Sequence, residues 1–142
     1  MVALVDSLST RIDIESLKST YDNHPLGVFV VNNEGQIDYL NKEAARIVGA
    51  DTIDNAGGLS LHDIDLIMNW GLFGAYQSIL NGEDFHLHEH RCSNCRGHYA
   101  VLNVFCSPYR NNGEGISGVL VILQDVTESS KRKAELEEAI YE

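Results

Sequence analysis

Gly118-Val119-Leu120-Val121-Ile122-Leu123-Gln124-Asp125-Val126-Thr127-Glu128 is the stretch on which the fold turns. Gly118 to Leu123 is a short apolar run opened by glycine and closed by polar residues, the mark of a strand. Asp125 and Thr127 then carry short side chains able to cap a helix that starts near Thr127. From Glu128 to Glu142 the chain is charged, lacks Gly and Pro, and consists largely of good helix formers. Leu136 and Ile140, with Ala139 beside them, offer a thin apolar seam to a partner helix. An apolar strand thus hands over directly to a polar helix.

Upstream, Asn111-Asn112-Gly113-Glu114-Gly115 is a turn preceded by a strand from Tyr99 to Ser107. Ser93 to Gly97 turns that strand onto another, Phe85 to Cys92. Trp70 to Leu80 reads as a helix, with Phe73, Tyr76, Ile79 and Leu80 at three–four spacing and Asn81-Gly82 as its stop. Asp51 to Ser60 reads as loop and Leu61 to Met68 as one or two helical turns. Val28 to Val31 and Ile37 to Leu40 are strands joined through the turn Asn32-Asn33-Glu34-Gly35. Asn41 is placed to cap a helix from Lys42 to Val48, which Gly49 ends. Ile14, Leu17 and Tyr21 mark an amphipathic helix between Ser9 and Asn23, stopped at His24-Pro25. Five strands in the order ββ–helices–βββ predict an α+β fold, an antiparallel sheet with helices on one side. The expected organisation is a lead-in at 1–23, a body at 24–127 and a C-terminal helix at 128–142.

A chain of 142 residues is expected to form one domain. Hydrophobic content is 44%, with no apolar run near the roughly 20 residues of a membrane span. With no secretory leader either, a soluble, cytoplasmic protein is expected. Three cysteines fit reduced thiols better than a disulfide framework. A net charge of −11 argues against nucleic acid as a partner. There is no Gly-x-Ser-x-Gly, phosphate-binding glycine loop or His-Glu-x-x-His, so the chain reads as non-catalytic.

Several phrases occur in a telling order: Gly27-Val28-Phe29-Val30-Val31, then Tyr39-Leu40-Asn41-Lys42-Glu43-Ala44-Ala45 with Gly49 behind it. Glu89-His90-Arg91 follows, ahead of a turn closing at Gly97, then Ser107-Pro108-Tyr109-Arg110 and the Gly118–Glu128 run. Together they resemble the PAS domain of signalling proteins, from about Tyr21 to Glu128. Asp125-Val126-Thr127-Glu128 looks like that family's junction with an output helix. The resemblance implies a PAS-like five-stranded antiparallel sheet flanked by an N-terminal helix and a C-terminal output helix. It also implies a non-catalytic sensory and interaction module, a homodimer, and an effector outside this chain. Family effectors include histidine kinases of two-component systems, diguanylate cyclases, chemoreceptors and transcription activators.

In a PAS-like sheet one face covers a cavity closed by the central helices. By resemblance to the family's register, His88, His90 and Cys92 face that cavity while Glu89 and Arg91 face outward. Alternation then turns Phe85 and Leu87 outward too, unless a bulge intervenes. Leu102, Val104 and Cys106 join from the paired strand, and Val119, Val121 and Leu123 from the last. Phe29, Val31, Tyr39, Trp70, Phe73 and Tyr76 complete the expected walls of a small-ligand site. Asp125 and Thr127 are the expected signal relay.

Histidines two apart on a strand share a face at roughly 7 Å. His88, His90, Cys92 and Cys106 therefore stand as an alternative metal or redox site, and buried imidazoles there would respond to pH near neutrality. Cys92-Ser93-Asn94-Cys95 lies on a hairpin, with nothing to lower a thiol pKa. A ligand-free dimerisation scaffold is a third reading. Asp51 to Trp70 lacks the cysteine of the family's flavin light sensors, and Trp70 to Asn81 lacks the histidine of its haem sensors. The cofactor is thus left unknown, with a small-molecule ligand favoured.

Overall fold

The computed structural model describes residues 19–49, 60, 70–93, 99–110 and 115–141, with side chains described as far as Glu138. The strands are β1 (Gly27–Asn32), β2 (Ile37–Leu40), β3 (Phe85–Ser93), β4 (Tyr99–Tyr109) and β5 (Gly118–Asp125); the helices are α1 (Lys42–Val48), α2 (Leu72–Leu80) and α3 (Thr127–Tyr141). The sheet order is β2-β1-β5-β4-β3, and every neighbouring pair is antiparallel. This is the α+β fold expected from the order of elements. β5 takes the centre because Gly118 to Leu123 is apolar throughout and every residue of it is buried. Gly118 has to be glycine: a Cβ there would run into the Val31 carbonyl oxygen and the Tyr109 ring.

Alternation along the central strands gives the sheet two apolar faces. Phe29, Val31, Leu102, Val104, Val121 and Leu123 pack on the helix side against Ala44 and Ile47 of α1 and Leu72, Tyr76 and Ile79 of α2. Val28, Val30, Leu120, Ile122 and Tyr109 pack on the other face with Tyr21 and Tyr39. Asn41 caps α1 by accepting from the Ala44 N–H, and Gly49 ends it with φ 87°. α3 starts at Thr127 as expected, and Lys131 to Glu138 are all exposed. No helix among the described residues is long and apolar enough to cross a membrane.

Two irregularities decide which side chains face the helices. Between β1 and β2 the register shifts, so that Val30 opposes Tyr39 while Val31 opposes Ile37. Between β3 and β4, Leu87 opposes Val104 and His90 opposes Leu102. His88 and Glu89 thus share the single opposite residue Asn103, which is a bulge. Glu89 takes φ 49° to make it.

Ser19–Tyr21 are helical. Ile14, Leu17, the expected loop at 51–59, the turns at 61–68 and the hairpin tip with Cys95 and His98 lie outside the described residues.

Candidate functional site

Residues directly opposite in an antiparallel pair share a face. Cys106 opposes Val121 and Val104 opposes Leu123, while Phe29 opposes Val121 from the other side. These side chains therefore form a continuous floor on the helix side. Trp70 lies over it, its ring stacked on Phe29 with centroids 6.0 Å apart and planes 22° from parallel. Such a pair adds about 1 kcal/mol beyond its area. Tyr76 comes from α2, and its hydroxyl donates to the Asn32 carbonyl oxygen. Phe29, Val31, Trp70, Tyr76, Leu102, Val104, Cys106, Val119, Val121 and Leu123 all belong to this one cluster. Burial pushes the Cys106 thiol well above its ordinary range, so it stays protonated at neutral pH. The Trp70 Nε1 is buried and has no hydrogen-bond partner among the described residues.

Two expected wall residues lie elsewhere. Tyr39 stands opposite Val30 and shares its face, away from the helices. Its hydroxyl donates to Asp22 Oδ1 at 2.7 Å, and burial, followed by that carboxylate, pushes the phenol up. Phe73 is 49% exposed, because α2 turns Leu72, Tyr76 and Ile79 inward instead. One residue on a helix is about 100° of rotation.

The histidine-rich strand is re-aimed by its bulge. Phe85 and Leu87 face the helix side and pack against that cluster, as does Cys92. His90 shares their face and is half-buried. His88 does not: its side chain is 76% exposed, with Nε2 3.8 Å from Glu89 Oε2. The inward placement expected of His88 is corrected by the inserted residue, which reverses alternation at that point. No three His, Cys, Asp or Glu side chains among the described residues are grouped to hold a metal. His88, His90, Cys92 and Cys106 therefore do not converge. Cys92 Sγ lies 3.8 Å from the Ala100 carbonyl oxygen. Burial and then the Asp125 charge push its thiol up to about 11, opposite to what an attacking thiolate needs.

Asp125 and Thr127 meet in a compact junction. Asp125 Oδ1 accepts from the Thr127 N–H at 3.0 Å and from the Thr127 hydroxyl at 2.5 Å. The same hydroxyl oxygen accepts from the Val101 N–H at 3.0 Å, and the Val126 N–H donates to the Val101 carbonyl at 2.9 Å. Asp125 Oδ2 accepts from Arg46 at 3.0 Å, while Arg46 also grips Glu43 at 2.6 and 2.9 Å. One carboxylate therefore joins α1, β5 and the start of α3, with β4 held through Thr127. Burial pushes the Asp125 carboxyl up, but the Thr127 hydroxyl and N–H and the Arg46 guanidinium prevail, leaving it below its ordinary 3.8. Sequence reasoning missed Arg46. Its i, i+3 spacing from Glu43 is visible, but its second partner lies 79 residues away.

A profile described as the PAS fold matches residues 21–131. No curated protein matches the chain by sequence. The PAS domain of a Colwellia psychrerythraea protein superposes with a TM-score of 0.61 at 20% identity, covering 82% of this chain and 99% of that one. A domain of a sensory box sensor histidine kinase/response regulator from Geobacter sulfurreducens gives 0.59 at 16%, covering 79% and 93%. VqmA of Vibrio cholera, in a complex with ligand and DNA, gives 0.64 at 14%, covering 82% of this chain and 52% of that one. The chain thus spans about half the length of that VqmA chain. At these identities the likeness is one of fold.

Proposed function

The chain belongs to the PAS family, and we propose that it is a sensory and interaction module that binds a small molecule between its sheet and helices and relays occupancy into α3. The single observation that carries this reading is the Asp125 junction, where one carboxylate ties α1, β5 and the exposed output helix together. A shift of α1 against the sheet would load that carboxylate directly. A ligand moves such an element only if it binds the two arrangements with different affinity.

The remaining parts follow from this reading. Residues 1–23 are a lead-in, 24–127 the sensor, and 128–142 the helix that runs to an effector. Leu136, 66% exposed on α3, supports pairing with a second copy of the chain. The Geobacter relative comes from a sensor histidine kinase/response regulator, which supports an effector of that kind. VqmA is seen with DNA, but a net charge of −11 supports protein contacts rather than nucleic acid here. PAS domains are generally non-catalytic, and the chemistry is assigned to the effector.

Native mass spectrometry of the purified chain reads bound mass and oligomeric state together. Hydrogen exchange along Glu128 to Lys133 is then compared between the loaded chain and the chain stripped of its ligand. The expected result is slower exchange in one state; identical exchange overturns the relay.

A further inference from the structure

We propose that Trp70 is the polar anchor of the ligand site, and that the ligand is a neutral, largely apolar molecule presenting one hydrogen-bond acceptor to the indole N–H. This rests on reading the helix-side interior as a ligand site. Trp70 is 2% exposed, and its Nε1 is buried with no partner among the described residues. Buried donors almost always find an acceptor, and tryptophan is placed inside a protein where its N–H can reach one. The stack on Phe29 fixes the ring, so the N–H cannot turn towards solvent without giving up that contact.

The rest of the cluster defines what complements it. The Tyr76 hydroxyl is already engaged with Asn32, and Cys106 supplies only a weak, protonated thiol. Among the described residues the only buried polar side chains are Asn41 and Ser107, so no buried Lys, Arg, His, Asp or Glu faces the indole there. His90, which shares the face, lies on the edge strand β3 and is only half-buried. Among the described residues a charged ligand would find no buried charge to replace its hydration, whereas a neutral one with a carbonyl or ring nitrogen would satisfy the indole.

The chain has one tryptophan, so the indole Hε1–Nε1 resonance of 15N-labelled protein reports on Trp70 alone. Acetophenone, ethylbenzene and benzoate serve as probes: the first is neutral with an acceptor, the second lacks the acceptor, and the third adds a charge. Acetophenone is expected to move the indole proton downfield and to bind about tenfold more tightly than ethylbenzene, with benzoate weakest. In Trp70→Phe, which keeps a ring against Phe29, the two neutral probes should come within about twofold of each other while ethylbenzene binding is retained. Equal binding of the two neutral probes to the unaltered chain, or an indole proton that stays in place, overturns the anchor and leaves the site standing. An indole proton already downfield and slow to exchange before any probe is added marks an internal partner and overturns it as well. Failure of all the probes to bind takes down the ligand-site reading itself.

Discussion

Asn41 is fully buried, and its amide is used to capacity. Nδ2 donates to the carbonyl oxygens of Tyr21 at 2.8 Å and Leu26 at 2.9 Å, while Oδ1 accepts from the N–H groups of Val28 and Ala44, each at 2.9 Å. Two donors and two acceptor sites are all an amide has. One side chain thus fastens the incoming turn, β1 and the first turn of α1. Asn41→Ala strands several of these groups in the interior and is expected to cost about 3 kcal/mol, read as a lower urea midpoint at unchanged slope. Asn41→Asp keeps the cap to Ala44 but sets a carboxylate against two carbonyl oxygens, so it should recover little. The capping role was legible because it acts across three residues. The bond to Tyr21, 20 positions back, was not.

At the scale of elements, the two bulges explain why strand alternation misplaced Tyr39 and His88. A period of two assigns sides only while both strands advance together, and one inserted residue reverses every side chain beyond it. Phe85 and Leu87 carried a hint, since they are too apolar to be exposed if His88 and His90 both face inward. Asn103 carried another, as a poor strand former inside the apolar β4. It fills the gap in the ladder, its Oδ1 accepting from the Glu89 N–H at 2.9 Å and its Nδ2 donating to Gln124 Oε1 at 3.1 Å. Glu89 holds φ 49°, a conformation costly for a side chain with a Cβ. Glu89→Gly is therefore expected to raise stability by about 0.5–1 kcal/mol, and Glu89→Val to lower it by about 1–2 kcal/mol. Urea denaturation of the pair checks both signs; a Glu89→Val chain as stable as the unaltered one would remove the strain argument.

Across the whole molecule, the Asp125 carboxylate is where the first helix, the central strand and the output helix are tied. Its folded value lies below the ordinary one. Its contribution to stability is therefore fully present above the unfolded value of about 3.9, and is lost as pH falls through the lower folded value. Denaturation series between about pH 7 and pH 3 should show stability falling below about pH 4, with a shallower fall in Asp125→Asn. Arg46→Ala should also make the fall shallower, because losing the guanidinium raises the folded value towards the unfolded one. The sequence by itself determined the succession of strands and helices along the chain, the capped first helix and the strand-to-helix junction. Each of these rests on rules acting over a few neighbouring residues. Only the tertiary structure decided which face Tyr39, Phe73 and His88 occupy, that Arg46 closes on Asp125, and that Trp70 is buried with its N–H unmatched among the described residues. Those outcomes depend on bulges, on helix rotation and on contacts between distant residues, where the energy lies in packing rather than in local pattern.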